Sequence, residues 1–200
     1  VMHNHGLSRM ALDIGLYDAS SRVVEAYEDS GMRVAFSVSH SNQNRTVFDD
    51  EDEFQAFLPA ELAKERSEVP TRQISMEDYL SLCAELFAHK QSDRTRIFIS
   101  PHNVHTCSDS MLNDIKDFAT RHSTGIHIHL QETVYQKMYG TRNWGKSPLA
   151  HLYDLGFLGP EVSCAHGVWL TDSDMDILAE TGTAICHNPS SNLRLKSGIA

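Results

Sequence analysis

Ile126-His127-Ile128-His129-Leu130-Gln131-Glu132-Thr133 is the stretch on which the reading of this chain turns. Ile126 to Leu130 reads as a strand, and residues 127 and 129, two apart, point to one face of it. Glu132 falls just past the strand end, within reach of a ligand beside a metal held by His129. A carboxylate there can take a proton from an activated water and hand it to a leaving group. The same letters also fit a plain pair of strand histidines followed by a solvated glutamate.

Outward from this stretch, short apolar runs alternate with helix-like segments. Upstream, Ser20 and Ser21 are placed to cap a helix through Val23, Val24, Ala26 and Tyr27, ended by Gly31, and Arg33 to Val38 reads as β. Ser75 with Asp78 resembles a capping box, opening a helix through Leu80, Leu82, Leu86 and Phe87. Arg96 to Ser100 reads as a strand, and Ser108 caps a helix through Met111, Leu112, Ile115 and Phe118. Downstream, Ser147-Pro148 opens a helix closed by Gly156, and Val162 to His166 is a strand. Thr171 caps a helix ended by Gly182, and Thr183 to His187 is the last strand. With Val1-Met2 as the tail of another, the strands number six. From His40 to about Gln73 the chain is polar and irregular, with one short helix around residues 58–66, as in a lid or an insertion.

Alternation of β and α with buried-looking strands implies a parallel sheet with helices outside it. No strand is followed by Gly-x-Gly-x-x-Gly and no phosphate-cradling Gly-Lys-Ser/Thr loop occurs, which favours a barrel over an open nucleotide-binding sheet. The formal net charge of −10, with no Lys/Arg-rich run, argues against nucleic acid as a partner. No apolar run is long enough to span a bilayer, so no membrane partner is expected. The acidic run Asp49-Asp50-Glu51-Asp52-Glu53 reads as a solvated loop, since the glycine and spacing of a calcium loop are missing. Cys83, Cys107, Cys164 and Cys186 form no C-x-x-C pair and read as reduced thiols of a cytoplasmic protein.

The chain holds 12 histidines, and their placement is what needs a cause. In a (β/α) barrel the active site is built at the C-terminal ends of the strands. His5, His40, His102, the His127/His129 pair, His166 and His187 each lie at or near that end of a different strand. One mouth lined by imidazoles fits a metal site, because imidazole suits zinc and iron and serves as acid or base near neutral pH. Taken singly, each has an ordinary reading. His166, between an apolar strand and Gly167, fits a hydrogen-bonded core histidine. His187-Asn188-Pro189-Ser190-Ser191-Asn192 fits a turn whose Asn and Ser bond the backbone, and His102 carries the same two readings. His89, His122 and His151, on or beside helices, read as surface residues, and His3-Asn4-His5 is not read as a metal pair.

Four motifs, PHNVHTCS (101–108), HIHLQET (127–133), CAHGVWL (164–170) and CHNPSSNLRLKSGIA (186–200), in this order and at these separations, resemble the amidohydrolase superfamily. The resemblance is to the branch of cytosine, guanine and S-adenosylhomocysteine deaminases and triazine hydrolases. It implies an α/β fold, a partial (β/α)8 TIM-type barrel comprising strands two to seven of eight over residues 1–200. It implies one divalent metal ion, zinc or iron, with His129 as ligand and Glu132 as the proton shuttle to the ring nitrogen. His166 would orient the attacking hydroxide and stabilise the tetrahedral intermediate. His102 would contact substrate, and His187, Asn188 and Asn192 would shape the pocket, while His127 is not a ligand. The implied activity is hydrolysis of a C–N bond, not a peptide, in a small nitrogen heterocycle, as in a deaminase using metal-activated water.

Rival readings are hydrolysis of a cyclic amide or a chlorinated triazine, or a degenerate barrel fragment that binds without catalysis. The family's His-x-His pair and its metal-binding Asp have no counterpart in these residues, and an open six-strand segment would expose strand edges and apolar surface, so the isolated chain is expected to be poorly soluble or metal-free. The resemblance also implies a homodimer as an expected partner arrangement, a dimer being common in the family. A cytidine-deaminase zinc fold lacks its Pro-Cys-x-x-Cys, and a zincin lacks His-Glu-x-x-His.

Overall fold

In the computed structural model, six strands lie parallel in sequence order: β1 (Met2–His5), β2 (Val34–His40), β3 (Thr95–Pro101), β4 (Ile126–Leu130), β5 (Val162–His166) and β6 (Ala184–Cys186). The structure describes residues 2–5, 14–43, 47, 51–68 and 74–200. The helices are α1 (Leu16–Ser30), α2 (Glu51–Phe57), α3 (Ala60–Glu68), α4 (Met76–Lys90), α5 (Asp109–His122), α6 (Val134–Trp144), α7 (Pro148–Asp154), α8 (Asp172–Thr181) and α9 (Pro189–Arg194). One 3-10 turn, Val104–Thr106, follows β3.

Strand period two sorts the side chains. Val34, Phe36, Val38, Ile97, Ile99, Ile126, Ile128, Val162 and Cys164 are buried and share one hydrophobic cluster with Tyr79, Leu82 and Leu86 of α4 and with Met111, Leu112 and Ile115 of α5. Each such side chain withdrawn from water contributes about 1.5–3 kcal/mol. Intervening residues face the other way, as the 2.9 Å hydrogen bond between His127 Nδ1 and Ser163 Oγ across β4 and β5 shows. That face holds Ser37, Ser39, Ser100, His127 and Ser163, and it carries His129 toward the site.

The expected caps at Ser75, Ser108, Ser147 and Thr171 are all made, each hydroxyl accepting the N–H three residues on. Gly31 and Gly182 end their helices in the left-handed conformation. Four expectations need correction. Ser20 and Ser21 do not cap a helix but lie inside α1, which begins after Gly15. The 40–73 segment holds two short helices among its described residues rather than one, and the acidic run is helical from Glu51 on; Asp49 and Asp50 lie outside the described residues. His122 is half-buried against Phe118, and His151 is half-buried with Nε2 2.8 Å from Asp109 Oδ1. Finally, α6 was not foreseen. Its Val134, Tyr135, Tyr139 and Trp144 are poor helix formers, and Gly140 reads as a breaker. Gly140 is there for space, since a Cβ would lie 2.7 Å from Pro148 Cδ.

Candidate active site at the strand ends

The C-terminal ends of β3, β4 and β5 open onto a cleft of about 510 Å³ whose walls include His102, His105, His129, Glu132, Gln136 and His166. His129 ends the alternating run of β4. Its Nδ1 donates to the carbonyl of His102 at 2.7 Å, so Nε2 is the nitrogen left without a proton. Burial holds its pKa below the ordinary histidine value, which keeps the ring neutral. The His102 and His166 rings lie 5.3 and 5.5 Å from it, centroid to centroid.

Two backbone turns bring Glu132 and His166 together. Gln131 has a φ of +44°, and its fully buried amide reaches the Trp169 carbonyl at 2.8 Å and accepts Leu149 N–H at 3.2 Å. Its own carbonyl accepts both Val168 and Trp169 N–H at 3.1 Å. The loop after β4 is thereby laced to the loop after β5. Gln136 Oε1 accepts the Glu132 N–H at 2.7 Å. His166 occupies a place in β5 where period two would turn it to the apolar cluster with Val162 and Cys164. Its φ of +80°, followed by +58° at Gly167, sends the imidazole into the cleft instead. There its Nδ1 lies 3.8 Å from Glu132 Oε1 and 2.8 Å from Asn192 Oδ1.

His102 lines the cleft, its pKa lowered first by burial and then by the neighbouring His129. His105, given no role by the sequence reading, is buried beside it, with Nδ1 3.1 Å from Asn103 Oδ1 and a pKa pushed down to about 4 by burial. Gln131 and Gln136 were missed as well. Their signal, two glutamines flanking Glu132, means nothing until the turn at 131 is known. Of the β6 exit residues, Asn192 is buried behind His166, whereas His187 is exposed and neither it nor Asn188 lines the cleft. With its nitrogen turned to the backbone, the Asn188 amide donates to the Cys186 and His187 carbonyls at 3.2 and 3.3 Å.

At the opposite strand ends lies a second cavity of about 590 Å³, lined by Met2, Phe98, Pro160, Val162 and Ala184 among others. Its one carboxylate, Glu161, is paired with Lys116, so it offers little chemistry beside the histidine cleft.

The amidohydrolase family profile matches residues 5–200. The chain belongs to the amidohydrolase family. It is 43% identical over 108 residues to a 5-methylthioadenosine/S-adenosylhomocysteine deaminase of Thermococcus kodakarensis, covering 54% of this chain and 26% of that one. It is 40% identical over 108 residues to a 5'-deoxyadenosine deaminase of Methanothermobacter thermautotrophicus, with 54% and 25% covered. This amidohydrolase chain thus spans about a quarter of the length of the curated relatives it matches. Among solved structures, an adenosine deaminase from Xanthomonas campestris with bound zinc superposes with a TM-score of 0.70 at 21% identity, over 88% of this chain and 35% of that one. An atrazine chlorohydrolase from Arthrobacter aurescens complexed with zinc gives 0.71 at 17% identity, over 100% and 40%. The α/β sheet is part of a TIM-type (β/α)8 barrel.

As a metal donor set, the described residues of the amidohydrolase fit in part. His129 is a neutral imidazole whose second nitrogen is held by a carbonyl, the arrangement that orients a ligating histidine. Among the described residues no group of three His, Cys, Asp or Glu converges to hold an ion. No helix among them is long and apolar enough to cross a membrane.

Proposed function

We propose that this amidohydrolase hydrolytically removes the amino group of an adenosine derivative modified at its 5′ position. The observation that carries the reading is the grouping of Glu132, His166 and the tethered His129 in one cleft. The names of the relatives supply the substrate class. His129 would serve as one ligand of a divalent ion, zinc or iron. The chemistry such an ion supplies is the acidification of a water.

Glu132 would take one proton from the attacking water and deliver it to the ring nitrogen next to the attacked carbon. The remaining proton of the attacking hydroxyl would then pass to the amino group, which leaves as ammonia as the carbonyl forms. His166, 3.8 Å from the same carboxylate, accepts a hydrogen bond from the attacking oxygen and holds it in line. His102 forms a wall against the substrate, and Leu195, exposed on the cleft rim, offers apolar surface to the 5′ substituent. The four free cysteines accord with a reducing compartment, the cytoplasm.

The test is ammonia release from 5′-deoxyadenosine and its methylthio analogue by the longest reading frame containing this chain, supplied with zinc or iron. Glu132→Gln is expected to lower turnover about 10²- to 10⁴-fold while sparing bound metal. Absence of ammonia from every adenosine derivative, or full activity in the variant, would sink the reading.

A further inference from the structure

We infer that Asn192 is a positioning residue: it locks the His166 imidazole in the tautomer with the proton on Nδ1, so that His166 presents its bare Nε2 to the cleft beside that of His129. The catalytic consequence rests on the deaminase reading; the tautomer does not.

Asn192 is 1% exposed and does not line the cleft. A side chain so placed acts on a cleft ligand through another group, and that group is His166, whose Nδ1 lies 2.8 Å from Asn192 Oδ1. Two oxygens face this nitrogen, the second being Glu132 Oε1 at 3.8 Å. Both favour a proton on Nδ1. Turning the amide over would set an N–H against Nδ1, with only Glu132 to draw a proton there, and would orphan Oδ1 instead.

The present orientation leaves Asn192 Nδ2 buried without a partner among the described residues. A buried donor without an acceptor is costly. With that end of the amide idle, the contact that Asn192 does make is the one from Oδ1 to His166.

Asn192 is also fixed in register. Its N–H donates to Asn188 O at 2.9 Å, and its carbonyl accepts Ser197 N–H at 2.8 Å. The Ser197 carbonyl in turn accepts Trp169 Nε1–H at 2.8 Å, tying the end of α9 to the loop that follows His166. His129 is held in the same way, Nδ1 to a carbonyl at 2.7 Å, and the two rings stack at 24°. A pair of neighbouring imidazoles is thus tethered by one nitrogen each, leaving two lone pairs for the cleft. One suits a cation, and the other suits the hydrogen of an attacking oxygen.

The experiment is long-range proton–nitrogen correlation on the chain with ¹⁵N-labelled histidine, recorded at alkaline pH. His166 is assigned by the loss of its signals in His166→Gln. The wild-type chain is expected to give a protonated Nδ1 and an unprotonated Nε2 at His166. Asn192→Leu, close in size and without an acceptor, should lower the ratio of the two tautomers at least roughly ten-fold, and Asn192→Asp should restore it. Asn192→Ser, too short to reach the ring, should behave as Leu does and stands in if Asn192→Leu fails to fold.

An Nε2-protonated ring in the wild type, or an unchanged ring in Asn192→Leu or Asn192→Ser, overturns the assignment. In an enzyme that deaminates, Asn192→Leu should lower kcat roughly ten- to hundred-fold with KM little changed. A raised KM with unchanged kcat would instead mean that Asn192 binds substrate. If the wild type deaminates nothing, the proposed function fails and the tautomer measurement still decides this inference.

Discussion

The exits of β4 and β5 and the exit of β6 start from the same sequence signal, a histidine at the end of an apolar strand, and end differently. β4 and β5 pair with each other over five residues, and β4 also pairs with β3. Their exits are laced together by the carbonyl of Gln131 and its buried amide. His129 and His166 emerge with one ring nitrogen already bonded. β6 has three residues and, among the described residues, a strand neighbour on one side. His187 stands exposed at its end. Position at a strand end places an imidazole at the mouth, whereas hydrogen bonding from the neighbouring exit gives it a fixed orientation, and only an oriented group can act in catalysis without a further entropy cost.

Gln131→Leu should break this contrast most severely. It removes the acceptor of Leu149 N–H and the donor to the Trp169 carbonyl at a fully buried position. Two orphaned groups at about 1–3 kcal/mol each put the destabilisation on the order of 3 kcal/mol, read as a lower urea midpoint. An unchanged midpoint would mean that the exits do not depend on one another.

Next in size is an acid limb of stability. His105, 9% exposed, is held at about 4 from an ordinary 6.5, chiefly by burial. Below 6.5 the unfolded chain takes up a proton that the folded chain refuses, so its contribution is complete above 6.5 and is lost as pH falls to about 4. It amounts to at most about 3 kcal/mol. His127 is depressed to about 4 for the same reason and adds to the limb. His105→Gln should flatten the pH dependence of the unfolding free energy between these limits. A variant as acid-sensitive as the wild type would show that His105 is not kept neutral by the fold.

The barrel order, the limits of β4 and β5, four helix caps and the grouping at the β4 exit were legible because each rests on local chemistry: strand alternation, a hydroxyl three residues before an N–H, an imidazole at a strand end. What stayed hidden depends on distant contacts. The helix after Thr133 is disguised by β-formers and by a glycine whose reason is Pro148. The turn of His166 into the cleft is a backbone choice that its letter does not disclose. Gln131, Gln136 and Asn192 act on residues that only the fold brings near. His187 falls with the other mouth histidines by sequence because nothing in Cys186-His187-Asn188 distinguishes an exposed strand end from a covered one.

The smallest expected effect is therefore the most discriminating. His187→Ala removes an exposed imidazole that is not among the residues lining the cleft. Exposed substitutions away from caps and networks change stability by no more than about 0.5 kcal/mol. The Asn188 amide would still face the Cys186 and His187 carbonyls, since both acceptors are backbone atoms. An urea midpoint within error of the wild type, beside the large shift in Gln131→Leu, would place the difference between the exits in their bracing rather than in the histidine itself. A loss comparable to that of Gln131→Leu would mean that His187 is braced by residues outside the described set, and the two exits would then be alike.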